Sequence, residues 1–208
     1  MTKPQKTSPQ GTPLPENVQI KSRERVRDLG EVYTQPREVD AMLDLVANMF
    51  DGIDYRFLEP ACGNGNFLVA ILERKLQAIS EADHGGTECW YEFAVLRCIA
   101  SIYAIDISLD NVYEARDRMR EIVNAGVAFR TGSATPGFDR AVTTILDNNI
   151  VLGDSLNGAR DIIFVEYTPL SNERFSRQPS YLETPEMDLF YVPPEPLVTV
   201  HYSELGSE

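Results

Sequence analysis

Cysteine is sparse in this chain: Cys62, Cys89 and Cys98 are the whole set. An odd number with no Cys-x-x-Cys pair excludes a disulfide framework. Histidine is scarcer still, with only His84 and His201. His84 lies near Cys89 in sequence, but no further ligands follow at zinc spacing, so no metal site is expected. No apolar run approaches the roughly 20 residues that a membrane span requires. Lys3 and Lys6 are followed by prolines and polar residues rather than an apolar stretch, which argues against a signal peptide. The expected location is therefore cytoplasmic. Positive charge is also in short supply. Nineteen Lys and Arg face 32 Asp and Glu, for a formal net charge of -13. Such a surface repels free duplex DNA.

What remains is an ordinary globular composition, 43% hydrophobic and 25% charged over 208 residues. That length suits one α/β domain with extensions and a sizeable core. The charge is uneven. Residues 1–30 hold Lys3, Lys6, Lys21, Arg23, Arg25 and Arg27 against Glu16, Glu24 and Asp28. Residues 170–208 hold only Arg174 and Arg177 against seven acids. The basic arm could touch phosphates; solvated tails are the simpler reading of both ends. Residues 1–18 are rich in Pro, Gln, Thr, Ser and Lys and are expected to be disordered. Residues 19–169 read as the folded domain, and 170–208 as an acidic, proline-rich extension.

Periodicity organises that domain. Pro36 suits a first helical turn, and Val39, Met42, Leu43, Val46 and Met49 follow at helical spacing to Asp51-Gly52. Tyr55–Glu59 is a short strand. Helical faces follow over Phe67–Ile79, Trp90–Ile99, Leu109–Val123 and Phe138–Leu146. Ile102–Ile107, Ile150–Leu152 and Ile162–Val165 are short apolar runs of strand type, and Leu197–Tyr202 is a candidate edge strand. Strands alternating with helices predict an α/β fold: a mostly parallel sheet with helices on both faces.

The chemistry concentrates where strands end. Glu59-Pro60-Ala61-Cys62-Gly63-Asn64-Gly65-Asn66-Phe67 follows one strand and opens a helix. Gly63 and Gly65 admit close approach of a ligand to the backbone, and the helix start offers free N–H groups. Glycine spacing alone is equally compatible with a tight, ligand-free turn. Glu59, Asp106 and Asp154 each end a successive strand, which places three carboxylates on one rim of the sheet. One such acid is commonplace as a helix cap. Three favour a shared ligand with amine and hydroxyl donors.

This set resembles the cofactor region of the N6-adenine DNA methyltransferases, notably the modification subunits of restriction systems. The Glu59–Phe67 loop is similar to that family's Asp/Asn/Glu-Pro-Ala-Cys-Gly-x-Gly-x-Phe. Gly30-Glu31-Val32-Tyr33-Thr34-Gln35-Pro36 resembles its lead-in, Ile102–Ile107 its acidic strand, and Ile150–Leu156 its third cofactor element. The likeness covers residues 28–157, in the expected order. It implies a Rossmann-like fold, truncated here, that binds S-adenosyl-L-methionine and methylates adenine in DNA. It implies that Tyr33, Thr34 and the backbone from Ala61 through Cys62 and Gly63 to Gly65, with Asn66 and Phe67 closing the motif, hold the methionine moiety. Glu59 would approach its amine. Asp106 would take the ribose hydroxyls, Ile107 would lie against the adenine ring, and Asp154 would accept from the adenine amine. Cys62 is a packing residue.

The family's catalytic Asn/Asp/Ser-Pro-Pro-Tyr/Phe, which holds a flipped adenine, is absent. In its place, after the fourth strand, stand Glu166 and Tyr167, an acceptor and an aromatic face. Their alternative reading is an ordinary strand end. Tyr191-Val192-Pro193-Pro194 has the paired prolines but no polar acceptor. Too little chain follows Pro169 for a duplex-reading domain, so sequence recognition falls to a partner subunit, in a hetero- or homo-oligomer. Two functions stay open: an adenine methyltransferase, or a cofactor-binding partner subunit that has lost catalysis. Methylation of another acceptor and mimicry of DNA by acidic charge explain less of the pattern.

Overall fold

The computed structural model describes residues 32–82, 86–183 and 197–207. The expected tail at 1–18, the lead-in before Val32 and the Tyr191–Pro194 candidate lie outside them. A short helix, α1 (Pro36–Asp44), starts on Pro36 with a capping box between Gln35 and Glu38 and buries Val39 and Leu43. A single 3₁₀ turn at Ala47–Phe50 follows. The chain then alternates: β1 (Phe57–Glu59), α2 (Asn66–Ala82), α3 (Glu88–Ala100), β2 (Ile102–Asp106), α4 (Leu109–Thr131), α5 (Phe138–Asn149), β3 (Ile150–Leu152). β4 (Ile163–Leu170), β5 (Arg174–Tyr181) and β6 (Leu197–His201) complete it.

β1, β2 and β3 form a parallel sheet in that order, with Leu58 opposite Tyr103 and Ala104 opposite Ile150. β2 is central, and all five of its residues are buried. Because side chains alternate across a strand, Ile102 and Ala104 face the helices while Tyr103 and Ile105 face the other way. Helix α4 shows why the sequence reads as it does: Val112, Ala115, Met119, Val123 and Val127 recur every third or fourth residue and are all buried.

The α/β class is as expected, but among the described residues the helices are not on both faces. Buried residues of α1 to α5 join one core with Ile102, Ala104 and Ile150. The opposite cluster, Tyr103, Ile105, Ile162 and Phe164, contains no helical residue. The strand order explains this. Right-handed crossovers that add each strand on the same side place every helix on one face. Helices reach the second face only when strand order reverses, and the strand that could reverse it, β4, does not join the parallel sheet.

β4 instead pairs antiparallel with β5, and β5 with β6. The β4–β5 loop places Asn172 and Glu173 at positive φ. Asn149, 1% exposed, secures β4 against the helical layer: its Oδ1 accepts from the Val165 amide at 3.1 Å and its Nδ2 donates to the Ala100 carbonyl at 3.3 Å. The described residues beyond Pro169, 170–183 and 197–207, thus pack on the body. Phe175, Val200, Tyr202 and Leu205 are buried in the main core, and the Tyr202 hydroxyl donates to the fully buried Glu92 at 2.8 Å. Among the described residues, no helix is long and apolar enough to cross a membrane.

Before β1 the chain is held by one buried cation. The Lys75 ammonium donates to the carbonyls of Ile53 and Tyr55, both at 2.8 Å, and lies 5.1 Å from the centre of the Phe57 ring. Arg97 pairs with Asp54 beside it. These contacts fix the angle at which β1 enters the sheet, and so where its acidic end emerges.

Candidate functional site

The three parallel strands end in Glu59, Asp106 and Leu152, and the loops beyond them surround a cleft of about 450 Å³. That volume suits a small organic ligand. Tyr33, Thr34, Glu59, Ala61, Cys62, Gly63, Asn66, Phe67, Asp106, Ile107 and Asp154 all line it. Gly65 lies just behind, buried against α4.

The loop after β1 is built by glycine. Gly63 has φ +53°, and its missing Cβ leaves room for the Tyr33 ring, whose nearest carbon would stand 3.2 Å away. Gly65 has φ +87° and packs against Ala115 of α4, whose Cβ would be only 3.0 Å from an added methyl. Both conformations are costly for any other residue. The Cys62 amide donates to the Ile105 carbonyl at 2.9 Å, so the loop starts as a continuation of the sheet.

Asp106 is the hub. It is 7% exposed. Its Oδ2 accepts from the Gly63 amide at 2.8 Å. Its Oδ1 accepts from the Ser108 amide at 2.8 Å and from Asn111 Nδ2 at 3.1 Å. Glu59 accepts from the Ala61 amide at 3.2 Å through Oε1. Burial raises the pKa of Glu59, an effect partly offset by that amide. Burial, reinforced by the neighbouring Asp106 and Glu59, pushes the Cys62 thiol up to about 12. It is a neutral packing group.

Asp154 sits in the cleft wall but serves its own loop. Its Oδ1 accepts from the Leu156 and Asn157 amides at 2.9 and 3.1 Å, and its Oδ2 from Asn157 Nδ2 at 2.9 Å. Those bonds hold its carboxyl below the usual aspartate range. Ile107 and Leu156, 59% and 90% exposed, present apolar surface at the mouth. No lysine or arginine is among the described residues that line the cleft, so its electrostatics favour cations and disfavour phosphates.

Two residues of α4 were not anticipated. Arg118 donates to the Asn64 carbonyl at 2.6 Å and to Asn66 Oδ1 at 2.9 Å, while Asn66 Nδ2 donates to the Thr34 carbonyl at 2.9 Å. Asn111, 2% exposed, joins Asp106 to Tyr33, whose hydroxyl donates to Asn111 Oδ1 at 3.4 Å. Helix α4 therefore binds the lead-in strap to the glycine loop. The available signal was an asparagine beside Val112 at the start of an otherwise apolar stripe.

Glu166 and Tyr167 are not brought to this cleft. They lie within β4, not past its end, beside Arg56, Ala100 and Tyr103 at the opposite, N-terminal ends of the parallel strands. Glu166 accepts from Arg56 at 3.0 Å and from Gln178 at 3.2 Å. Tyr167 is 6% exposed, accepts from Asn148 Nδ2 at 2.7 Å and meets Phe175 edge-on. A buried ring engaged in this way offers no face to a flipped base. Their assignment as catalytic residues is therefore corrected: the antiparallel course of β4 carries them away.

Comparison with protein-family models, with curated proteins and with solved structures finds no match to this chain.

Proposed function

We propose that the cleft binds S-adenosyl-L-methionine within a Rossmann-like, methyltransferase-type domain, and that the protein acts in methylation of the exocyclic amine of adenine in DNA. The observation that carries the reading is the convergence of the glycine loop, Asp106 and the acidic rim on one cation-favouring cleft. The residues fit the ligand's chemistry. Gly63 and Gly65 leave the backbone accessible, Glu59 offers a carboxylate to an ammonium group, Asp106 an acceptor to a ribose hydroxyl, and Ile107 with Leu156 an apolar bracket for a flat ring. The ligand would supply an activated methyl group. The chain supplies orientation and a negative field that favours the sulfonium cation.

Asp154 shapes the adenine-end loop through Leu156 and Asn157 and, with three of about four acceptor positions filled, keeps one on Oδ2 for the adenine amine. Thr34 is positioned through its backbone by Asn66.

A second reading is favoured by one observation: Glu166 and Tyr167 stand at the opposite ends of the parallel strands from the cleft. On that reading the chain is a ligand-binding subunit of a restriction-modification type assembly, and a partner supplies both the adenine pocket and the reading of DNA sequence. Calorimetric titration separates these proposals from a phosphate-binding site. S-adenosyl-L-methionine is expected to bind one per chain, with ATP and NAD silent. Equal binding of ATP, or no binding of S-adenosyl-L-methionine, overturns both readings. Transfer of labelled methyl to DNA by the chain alone supports the first; transfer only after a partner subunit is added supports the second.

A further inference from the structure

The hydrogen bonds of Asp106 limit what it can give a ligand. A carboxylate offers about four acceptor positions, two on each oxygen. Three are filled from within the chain. Oδ1 carries the Ser108 amide at 2.8 Å and Asn111 Nδ2 at 3.1 Å, and Oδ2 carries the Gly63 amide at 2.8 Å. One position, on Oδ2, is left over.

The three donors come from three directions: the loop after β1, the turn after β2, and the first turn of α4. Rotation of the carboxylate to present both oxygens would break at least one of them. Two of the donors are backbone amides. Asn111 is the side-chain donor, and its amide orientation is set in turn, because Asn111 Oδ1 accepts from the Tyr33 hydroxyl. Asn111 and Asp106 are both buried, so neither bond is readily exchanged for water.

We infer that Asn111 is a positioning residue that leaves Asp106 a single acceptor site, so that the cleft reads one hydroxyl of a nucleoside's vicinal diol rather than both. This rests on the reading of the cleft as a nucleoside site. It sharpens the role of Asp106 from a two-oxygen grip to a one-oxygen contact of defined direction.

The test is a set of titrations with S-adenosyl-L-methionine and its 2′-deoxy and 3′-deoxy analogues. In the natural chain one analogue is expected to bind roughly tenfold or more weakly than the parent, as loss of a hydrogen bond to a charged group implies, with the other within about threefold. In Asn111→Ala a second acceptor position opens, on Oδ1, while the two backbone amides stay in place, and the gap between the two analogues shrinks below about threefold. General loosening of the fold would weaken all three ligands together and leave the gap intact. Should Asn111→Ala not fold, Tyr33→Phe, which removes only the hydroxyl that orients Asn111, is expected to narrow the gap in the same sense. Equal losses for both analogues in the natural chain, or a gap unchanged in the folded variant, overturn the inference. Failure of the natural chain to bind the parent compound instead overturns the reading of the cleft itself.

Discussion

The Gly63 amide donates to Asp106 Oδ2 at 2.8 Å, joining the first turn of the sheet to the end of its central strand across 43 residues of sequence. The strength of this bond comes from the charge on its acceptor and from its partial burial. Asp106→Asn replaces one acceptor oxygen with an NH₂ group that faces backbone N–H donors. A loss of about 2 kcal/mol in urea unfolding is expected, together with weakened binding of S-adenosyl-L-methionine. Unchanged stability would mean that the Gly63 contact contributes nothing.

Gly65→Ala tests the loop geometry. At φ +87° the new methyl meets Ala115 Cβ at 3.0 Å and its Cα at 3.1 Å. The expected cost is about 1–3 kcal/mol, from the left-handed backbone and the clash together. Adding Ala115→Gly should recover part of it, because the contact with Cβ is removed while the contact with Cα, the backbone strain and the cost of a glycine within α4 persist. Full recovery would assign the whole cost to packing.

Glu59 makes ligand binding depend on pH. Burial raises its pKa above 4.5 in the folded chain, so its charge costs stability as pH rises through the raised value. The stabilising contribution of the neutral form is fully present below the unfolded value and is lost as pH rises through the raised one. A ligand ammonium group favours the ionised form. Binding should therefore tighten as pH rises through this window and release protons. Titrations in two buffers of different ionisation heat will show the release; identical observed heats in the two buffers would contradict a contact between Glu59 and the amine.

Thiol chemistry should follow burial. Cys62 and Cys98 are buried, and burial first of all pushes both up to about 12. Cys89 is exposed. Iodoacetamide at about pH 8 should modify Cys89 in the native protein and reach the other two only after denaturation. Rapid native labelling of Cys62, read by peptide mass, would reopen the question of a reactive role.

Tyr167→Phe separates a core role from a catalytic one. The hydroxyl accepts from Asn148 at 2.7 Å inside the fold. Its removal should cost about 1 kcal/mol of stability. Ligand affinity should not change, because the residue lies at the opposite ends of the parallel strands from the cleft. A large loss of methyl transfer with stability intact would contradict that placement.

The legible part of the site was local. Gly63 and Gly65 announced a turn because positive φ is a property of single residues, and Glu59 and Asp106 announced a rim because strand ends follow from short apolar runs. Val112, Ala115 and Met119 showed the face of α4 by period alone. Asn111 and Arg118 were not found, because their partners lie 5 to 78 residues away and leave no periodic trace. Glu166 and Tyr167 misled for a related reason. An apolar run such as Ile162–Val165 identifies a strand but not its direction.

By itself, then, the sequence determined the elements: where strands stop in carboxylates, where the backbone needs glycine, and which helical stripe is apolar. Those follow from backbone sterics and side-chain periodicity over a few residues. Only the tertiary structure decided that the described helices share one face, that β4 runs antiparallel and takes Tyr167 into the core, and that Asp106 keeps one acceptor position rather than four. The physical reason is that a hydrogen-bonding group's remaining capacity is set by the donors that folding brings to it, and those donors come from distant parts of the chain.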